Sequence, residues 1–171
     1  MLQAVRDCDR PEWAVGAGAI RSLVWDYLHG YTEPTPLSDV DVVYFDPNDL
    51  SAERDAHLEA ALRERLPGVP WEATNQAGVH LWYANYFGGD GVEPLTSVAD
   101  GVGTWPETAT CVGVRLEQDD SLIVIAPLGL DDLFDMVVRH NERRASVAQY
   151  RKRLAEKGVK EKWPLVTITE K

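Results

Sequence analysis

The stretch Ser38–Asp46 constrains the chain most, because it places two carboxylates at the head of a short run of β-branched and aromatic residues. In a strand, alternate side chains share a face, so Asp39 and Asp41 point the same way, roughly 7 Å apart. Two aspartates aimed together repel each other and lose hydration, which makes them poor components of a core. A divalent cation between them removes both costs. Hard oxygen ligands of this kind suit Mg²⁺ or Mn²⁺, with substrate phosphates completing the coordination shell.

A glycine turn upstream supplies a second candidate element. The sequence predicts a short strand over 12–15, the turn Gly16-Ala17-Gly18-Ala19 and then a helix over 19–28. The predicted apolar face of that helix consists of Ile20, Leu23, Val24, Tyr27 and Leu28. A glycine turn that opens a helix presents backbone N–H groups and the positive end of the helix dipole, which together bind phosphate. Many such turns are only tight connections, but an Asp-x-Asp strand directly afterwards makes the phosphate interpretation much more specific.

Eight segments spread over nearly the whole chain follow the pattern of a known family. They are Gly16–Arg21, Val24–Asp26, Leu28–Tyr31, Pro36–Asp41, Trp71–Gln76, His80–Tyr83, Trp105–Thr110 and Gly129–Phe134. Through its Gly-Ala-Gly-Ala turn, the helix and the Ser-Asp-Val-Asp-Val-Val strand, the chain resembles the DNA polymerase β-type nucleotidyltransferase superfamily. More narrowly, it resembles a bacterial family of small nucleotidyltransferase-like proteins. The superfamily usually has Ser after the second glycine; here Ala19 removes one hydroxyl contact to a phosphate and makes Arg21 the expected partner.

The resemblance implies an α/β (α+β) fold, with a small mixed β-sheet of about five strands flanked by helices. It also implies transfer of a nucleoside monophosphate from an NTP to a hydroxyl acceptor, which the sequence does not identify. Asp39 and Asp41 would be catalytic and bind two Mg²⁺ (or Mn²⁺) ions, with Glu72 as the third carboxylate. Glu72 lies on a predicted strand over 69–75 and could also draw a proton from the attacking hydroxyl. The alternative for Glu72 is a solvent-facing residue on an edge strand.

Residues from several segments are expected to contact the nucleotide. They are Gly16, Gly18, Arg21, Ser38, Arg139 and Lys157. Residues 139–162 carry nine basic and three acidic side chains, so their net charge is +6 while the rest of the chain holds −17. A basic helix over about 146–162 could hold a triphosphate or an RNA end, and Arg153 also lies in a position that resembles the family pattern. The alternative is a solvated helix face.

Composition limits the other possibilities. The 171 residues, 44% of them hydrophobic, predict one domain over 1–171. A net charge of −11 makes the chain a poor general binder of nucleic acid or of anionic membranes, so the sequence does not establish nucleic-acid binding. No apolar stretch is long enough to span a membrane, and the N-terminus lacks a signal-peptide core. With Cys8 and Cys111 expected as free thiols, a cytoplasmic location is predicted.

The remaining elements are predicted from periodicity and turn residues. Helices are expected over 2–8, 52–66, 77–83 and 131–138, and strands over 109–117 and 122–126 form a hairpin. His80, Trp82 and Tyr83 could stack on a base, although such clusters are more often part of a core.

The glycine-rich stretch 87–91 is a candidate lid. Two functions compete with the enzyme: a catalytically inactive nucleotide-binding module, and a protein-interaction module of the same fold.

Overall fold

A five-stranded mixed sheet forms the centre of the computed structural model, which describes residues 1–88 and 90–169. Its strands are β1 (Trp13–Gly16), β2 (Val40–Tyr44), β3 (Trp71–Asn75), β4 (Gly113–Leu116) and β5 (Leu122–Ile125). They lie in the order β3-β2-β1-β4-β5. Strands β2 and β3 run parallel, and the other neighbours are antiparallel. The predicted mixed sheet of about five strands is therefore confirmed, including the β4–β5 hairpin.

Helices surround this sheet. They are α1 (Leu2–Arg6), α2 (Gly18–Leu28), α3 (Ala52–Arg65), α4 (Val79–Phe87), α5 (Val98–Val102), α6 (Asp131–Phe134), α7 (Val147–Lys157) and α8 (Val159–Lys162). Two short strands, β6 (Val137–Val138) and β7 (Thr167–Ile168), pair in parallel in a second sheet. Among the described residues, no helix is both long and apolar enough to cross a membrane. Cys8 and Cys111 are free.

Three predicted boundaries are wrong, each for a local reason. Strand β4 begins at Gly113 rather than at 109, because Thr108–Thr110 forms a 3₁₀ turn. Helix α6 ends at Phe134 rather than at 138, since Met136 adopts a positive φ of 54° and the next two residues join β6. The basic helix is divided at Gly158, whose left-handed conformation ends α7 and precedes α8.

Smaller differences affect the first and fourth helices. Helix α1 ends at Arg6 rather than at residue 8, and α4 continues to Phe87 rather than ending at residue 83. The predicted lid over 87–91 therefore begins inside α4. One of its residues, Gly89, lies outside the described part of the chain.

Helix α2 buries the predicted face only in part, since Ile20, Val24 and Leu28 pack against the core but the other two residues do not. Leu23 and Tyr27 are 69% and 82% exposed, whereas Ser22, Trp25 and Asp26 are buried. Polar bonds explain the difference, since Trp25 Nε1 donates to the carbonyl of Leu133 at 2.8 Å and Asp26 accepts from Trp163 Nε1 at 2.7 Å. Hydrophobic periodicity does not detect a helix face whose polar atoms find buried partners.

Helix α3 covers the β3 edge of the sheet with a row of polar side chains spaced four residues apart. Asp55 accepts a bond from the backbone N–H of Asn75 at 3.0 Å, and Glu59 accepts one from the N–H of Ala73 at 3.1 Å. Arg63 donates to the carbonyl of Trp71 at 3.4 Å. The unpaired backbone groups of an edge strand are satisfied in this way without another strand.

Candidate functional site

Three neighbouring strands bring the glycine turn and the predicted carboxylates into one row. Gly16 on β1 lies opposite Asp41 on β2, and Asp41 lies opposite Glu72 on the parallel β3. Residues directly opposite in a sheet project to the same face, so the side chains of Asp41 and Glu72 point the same way. Asp39 comes two residues before Asp41 and shares that face by alternation. The structure thus gathers all three carboxylates at one side of the sheet.

The crowding of these carboxylates affects the pKa of Asp41. Burial raises the pKa of Asp41 to about 6, and the negative charges of Asp39 and Glu72 contribute to the rise. Arg153 and Lys157 act in the opposite direction, because positive charges favour the ionised carboxylate. Asp41 therefore carries an electrostatic cost that the surrounding residues only partly offset.

Lys157, the last residue of α7, reaches the carboxylates from the helical side. Its Nζ lies 3.2 Å from Asp39 Oδ2 and 3.3 Å from Ser38 Oγ. Ser38 Oγ in turn donates to Asp39 Oδ2 at 3.1 Å. The predicted nucleotide-binding residues Ser38 and Lys157 therefore lie at the carboxylate row, and Lys157 supplies a counter-charge to Asp39.

The donor set suits a divalent cation, although its side chains are not closed around one. Within residues 1–88 and 90–169, no three His, Cys, Asp or Glu side chains are arranged to hold a metal ion. Asp39 is drawn to Lys157, while Glu72 is exposed. The raised pKa of Asp41 nevertheless marks a concentration of negative charge, which a hard cation such as Mg²⁺ would relieve. Metal binding by the three carboxylates stays a prediction.

The glycine turn is fixed by packing as well as by its position before α2. A Cβ on Gly16 would lie 2.6 Å from the Trp105 ring and 2.8 Å from the carbonyl oxygen of Val112, so only glycine fits there. Ala17 adopts a φ of 50°, a conformation that L-residues seldom take. The first backbone N–H groups of α2 have no acceptor within the helix, which leaves them able to bind an anion.

Arg21 lies beneath this turn and is more buried than its predicted role suggested. Its side chain is enclosed by two indoles, with the guanidinium carbon 5.1 Å from the Trp25 ring and 4.7 Å from the Trp163 ring. Burial lowers the pKa of Arg21, and the carboxylate of Glu107 opposes that shift. A Cβ on Gly18 would lie 3.8 Å from Arg21 and 3.7 Å from an Asp39 oxygen, so Arg21 borders the carboxylate row.

Glu107 lies beside Arg21, and sequence analysis assigned it no role. It is 1% exposed, and its Oε1 accepts a hydrogen bond from Arg153 Nε at 2.9 Å. Its Oε2 lies 3.9 Å from Arg21 NH1. The available signal was a glutamate in the family-like segment Trp105–Thr110, but nothing in the sequence indicated two arginines as its partners.

Arg139 is engaged elsewhere. Its guanidinium pairs with Asp132 of α6 at 2.9 Å, and its backbone carbonyl accepts from the N–H of Thr108. These contacts give Arg139 a structural role between α6 and the 3₁₀ turn. The structure does not bring its side chain to Asp39, and the predicted nucleotide contact stays untested.

The aromatic residues of α4 form a surface cluster. Trp82, Tyr86 and Phe87 are exposed and pack against one another, while Tyr83 lies beneath the guanidinium of Arg144 at 5.1 Å. Helix α4 follows the C-terminal end of β3, whereas Glu72 lies near the N-terminal end of that strand. The expectation that such residues are core is wrong for Trp82, and base stacking stays a prediction.

The mixed sheet, the glycine turn before α2 and the neighbouring strand with its carboxylates define a polymerase β-type nucleotidyltransferase fold. A family model for nucleotidyltransferases matches residues 3–168. The chain belongs to this nucleotidyltransferase family, which confirms the resemblance noted from the sequence. No curated protein matches the chain.

Solved structures of tRNA-processing enzymes share the fold. An NMR structure identified as a CCA-adding enzyme head domain is 29% identical, with a TM-score of 0.80 over 98% of this chain and 86% of that chain. The Thermotoga maritima CCA-adding enzyme complexed with tRNA is 13% identical, with a TM-score of 0.55 over 98% of this chain and 37% of that one. A tRNA nucleotidyltransferase complexed with a primer tRNA and an incoming ATP analog is 16% identical, with a TM-score of 0.52 over 99% and 46%. The chain spans less than half the length of these last two enzymes, which share its fold alone.

Proposed function

We propose that this protein is a metal-dependent nucleotidyltransferase, which moves a nucleoside monophosphate from an NTP to a hydroxyl acceptor. The observation that carries the proposal is the row Gly16–Asp41–Glu72 across three strands, with Asp39 at the head of β2. It joins an anion-binding turn to three carboxylates on one face. Family membership supports the same chemistry.

Each part of the row has a role in this reaction. Asp39, Asp41 and Glu72 would hold two Mg²⁺ or Mn²⁺ ions. When bound, such ions lower the pKa of the attacking hydroxyl and neutralise charge on the triphosphate and the leaving pyrophosphate. The exposed Glu72 faces solvent beside Asp41 and can accept the proton of an incoming hydroxyl.

The phosphates would lie between the glycine turn and the cations of α2 and α7. Gly18 leaves room for close approach to the first N–H groups of α2, which favour an anion. Lys157 pairs with Asp39, Arg153 is close enough to favour ionised Asp41, and Arg21 borders Gly18. Their positive charges would bind the oxygens of the triphosphate.

Nucleic acid is a candidate acceptor because the fold neighbours include enzymes complexed with tRNA. The net charge of −11 opposes broad binding of nucleic acid to this chain. A small hydroxyl compound and a basic protein surface are the other two candidate acceptors. An acceptor screen therefore includes an RNA 3′ end as well as small alcohols and proteins.

A catalytically inactive nucleotide-binding module is the second candidate. The ion pair between Lys157 and Asp39 favours it, because Lys157 already occupies one side of the carboxylate that a metal would need. Such a module would bind an NTP without releasing pyrophosphate.

Calorimetry with the four NTPs, in the presence of Mg²⁺ or Mn²⁺, tests the proposal. We expect metal-dependent binding in the wild type and its loss in the double variant Asp39→Asn/Asp41→Asn. The matched control is Asp131→Asn/Asp135→Asn, which removes two exposed aspartates of the α6 region. Equal binding by wild type and the site double variant would contradict the proposal. Binding without pyrophosphate release across the acceptor screen would favour the inactive module.

A further inference from the structure

Glu107 joins two helices through two arginines. Its Oε1 accepts from Arg153 Nε of α7 at 2.9 Å, and its Oε2 faces Arg21 NH1 of α2 at 3.9 Å. The carboxylate is almost completely buried, and its backbone is held as well, because its carbonyl accepts from the N–H of Thr110 at 3.0 Å. Each of its two oxygens therefore serves a different guanidinium.

Arg21 and Arg153 share the carboxylate of Glu107. Arg21 also lies in the field of Asp39 and Asp26, and Arg153 in that of Asp41. Arg21 Nε is buried and has no hydrogen-bond partner among the described residues. A buried, under-satisfied cation is costly unless an anion completes its surroundings.

Both arginines lie within reach of the carboxylate row. Arg21 borders Gly18 and Asp39, as the 3.8 Å and 3.7 Å distances from a Cβ on Gly18 show. Arg153 lies one helical turn before Lys157 on α7, so the two side chains share a face of that helix. Both guanidiniums thus lie next to the place where the proposed function puts the triphosphate.

We infer that Glu107 is a positioning residue, which holds Arg21 and Arg153 together as a clamp for the triphosphate of the substrate. The inference rests on the proposed function, and it gives a role to the Trp105–Thr110 segment. Glu107 acts through the arginines and does not touch the phosphates. The Nε of Arg153 and the NH1 of Arg21 face Glu107, so other N–H groups of both guanidiniums remain free for phosphate oxygens.

A carboxylate is required for this role because an amide has a single acceptor oxygen. In Glu107→Gln the oxygen can still accept from Arg153, but the amide N–H₂ then meets Arg21, donor against donor. The two guanidiniums also lose their shared counter-charge and repel each other. Arg153 is one-third exposed and can turn to solvent, which opens the clamp.

The test is calorimetric binding of magnesium tripolyphosphate to Glu107→Gln. We expect affinity to fall about tenfold, the size of one lost charge-assisted contact. A purely neutralising role for Glu107 predicts the opposite sign, because removing a negative charge next to an anion site strengthens anion binding. Unchanged or tighter binding by Glu107→Gln would therefore overturn the inference.

The matched control is Asp46→Asn, which removes another buried carboxylate that pairs with an arginine, Arg54, beyond the other end of β2. It should lose stability without losing affinity for tripolyphosphate. In an Arg153→Met background, Glu107→Gln should cause a smaller loss than in the wild type, because one of the two arginines through which it acts is already absent. Additive losses in that cycle would assign Glu107 a general structural role and contradict the clamp.

This result is separable from the fate of the proposed function. Tripolyphosphate carries no nucleoside, so its binding tests the clamp without any transfer reaction. If the wild type binds no tripolyphosphate, the clamp is wrong, whereas nucleotidyl transfer is judged by pyrophosphate release. If the wild type binds it but transfers nothing, the clamp stands and the transferase fails.

Discussion

The carboxylates on the sheet and the cations on the helices meet at one place, but they are held in different ways. Arg21, Arg153 and Lys157 each lie within 4.0 Å of a carboxylate oxygen. Over the described residues, no Lys, Arg or His nitrogen comes as close to a carboxylate oxygen of Asp41 or Glu72. The helices therefore present cations that are already positioned, while the sheet presents negative charge that still lacks a partner. The difference fits the divalent cations of the proposed function, which would bind the carboxylates.

The largest expected effect concerns the packing that holds the cations. Trp163→Ala removes a buried ring that contacts Arg21 and Trp25, so we expect a loss of about 3–5 kcal/mol in the free energy of unfolding. Urea denaturation measures it. The control Trp82→Ala removes a ring that is 41% exposed and should cost less than about 1 kcal/mol. Similar losses in both variants would mean that the cations do not depend on the buried aromatic pair.

The next-largest effect is expected at Asp41, in the centre of the carboxylate row on the sheet. Asp41→Asn should lower nucleotidyl transfer at least about 100-fold, since even substitutions outside the first coordination shell cost 10–100-fold. The physical reason is the loss of a charged oxygen ligand at the centre of the row. Pyrophosphate release with Mg²⁺ measures the rate, and Asp119→Asn, in the exposed β4–β5 turn, is the control. Retained transfer would show that the row is not the metal site.

Lys157→Met tests the contact between Lys157 and Asp39, which links the helices to the sheet. Loss of this cation should weaken NTP binding about tenfold, as expected for a charge-assisted contact. The same substitution frees Asp39, so binding of Mn²⁺ without nucleotide should become tighter rather than weaker. Calorimetry gives both values. A fall in both affinities would mean that Lys157 organises Asp39 for the metal instead of competing with it.

The smallest effect concerns stability in the metal-free protein. Because the pKa of Asp41 is raised to about 6 in the folded state, the folded protein binds a proton more tightly than the unfolded chain does. The contribution of Asp41 to stability is therefore fully present below about pH 4 and is lost as pH rises through 6. Asp41→Asn should remove that dependence and be about 1–2 kcal/mol more stable than wild type at pH 7. Denaturation in EDTA at pH 5 and pH 7 measures both, and saturating Mg²⁺ should reverse the order.

The sheet and its carboxylates could be predicted because their signals are local. Alternation fixes the common face of Asp39 and Asp41, and the parallel pairing of β2 with β3 then adds Glu72. The polar part of the buried face of α2 could not be predicted in this way, because Asp26 is buried by a bond to Trp163, 137 positions later. Long-range polar pairs of this kind leave no periodic pattern in a sequence.

The ion pairs of the arginines show the same limit of sequence-based prediction. Glu107 and Arg153 are 46 positions apart, and nothing in either segment identifies the other as its partner. Arg139 illustrates a related limit, since the resemblance predicts a nucleotide contact for it, which stays a prediction, and nothing in the sequence indicated its pairing with Asp132. Composition shows where the basic residues lie in the sequence. It does not show which of them form ion pairs within the protein and which are free to bind a substrate.

The row of α3 side chains along β3 makes the two edges of the sheet unequal in their capacity to pair with another strand. A strand from another molecule cannot add at β3, because Asp55, Glu59 and Arg63 already occupy its outward hydrogen-bonding groups. At the other edge, Leu122, Ile123 and Val124 of β5 are 59%, 40% and 53% exposed. An apolar edge of this kind is a template for further strands. Of the two edges, β5 is therefore the one at which self-association or aggregation of the folded protein would begin.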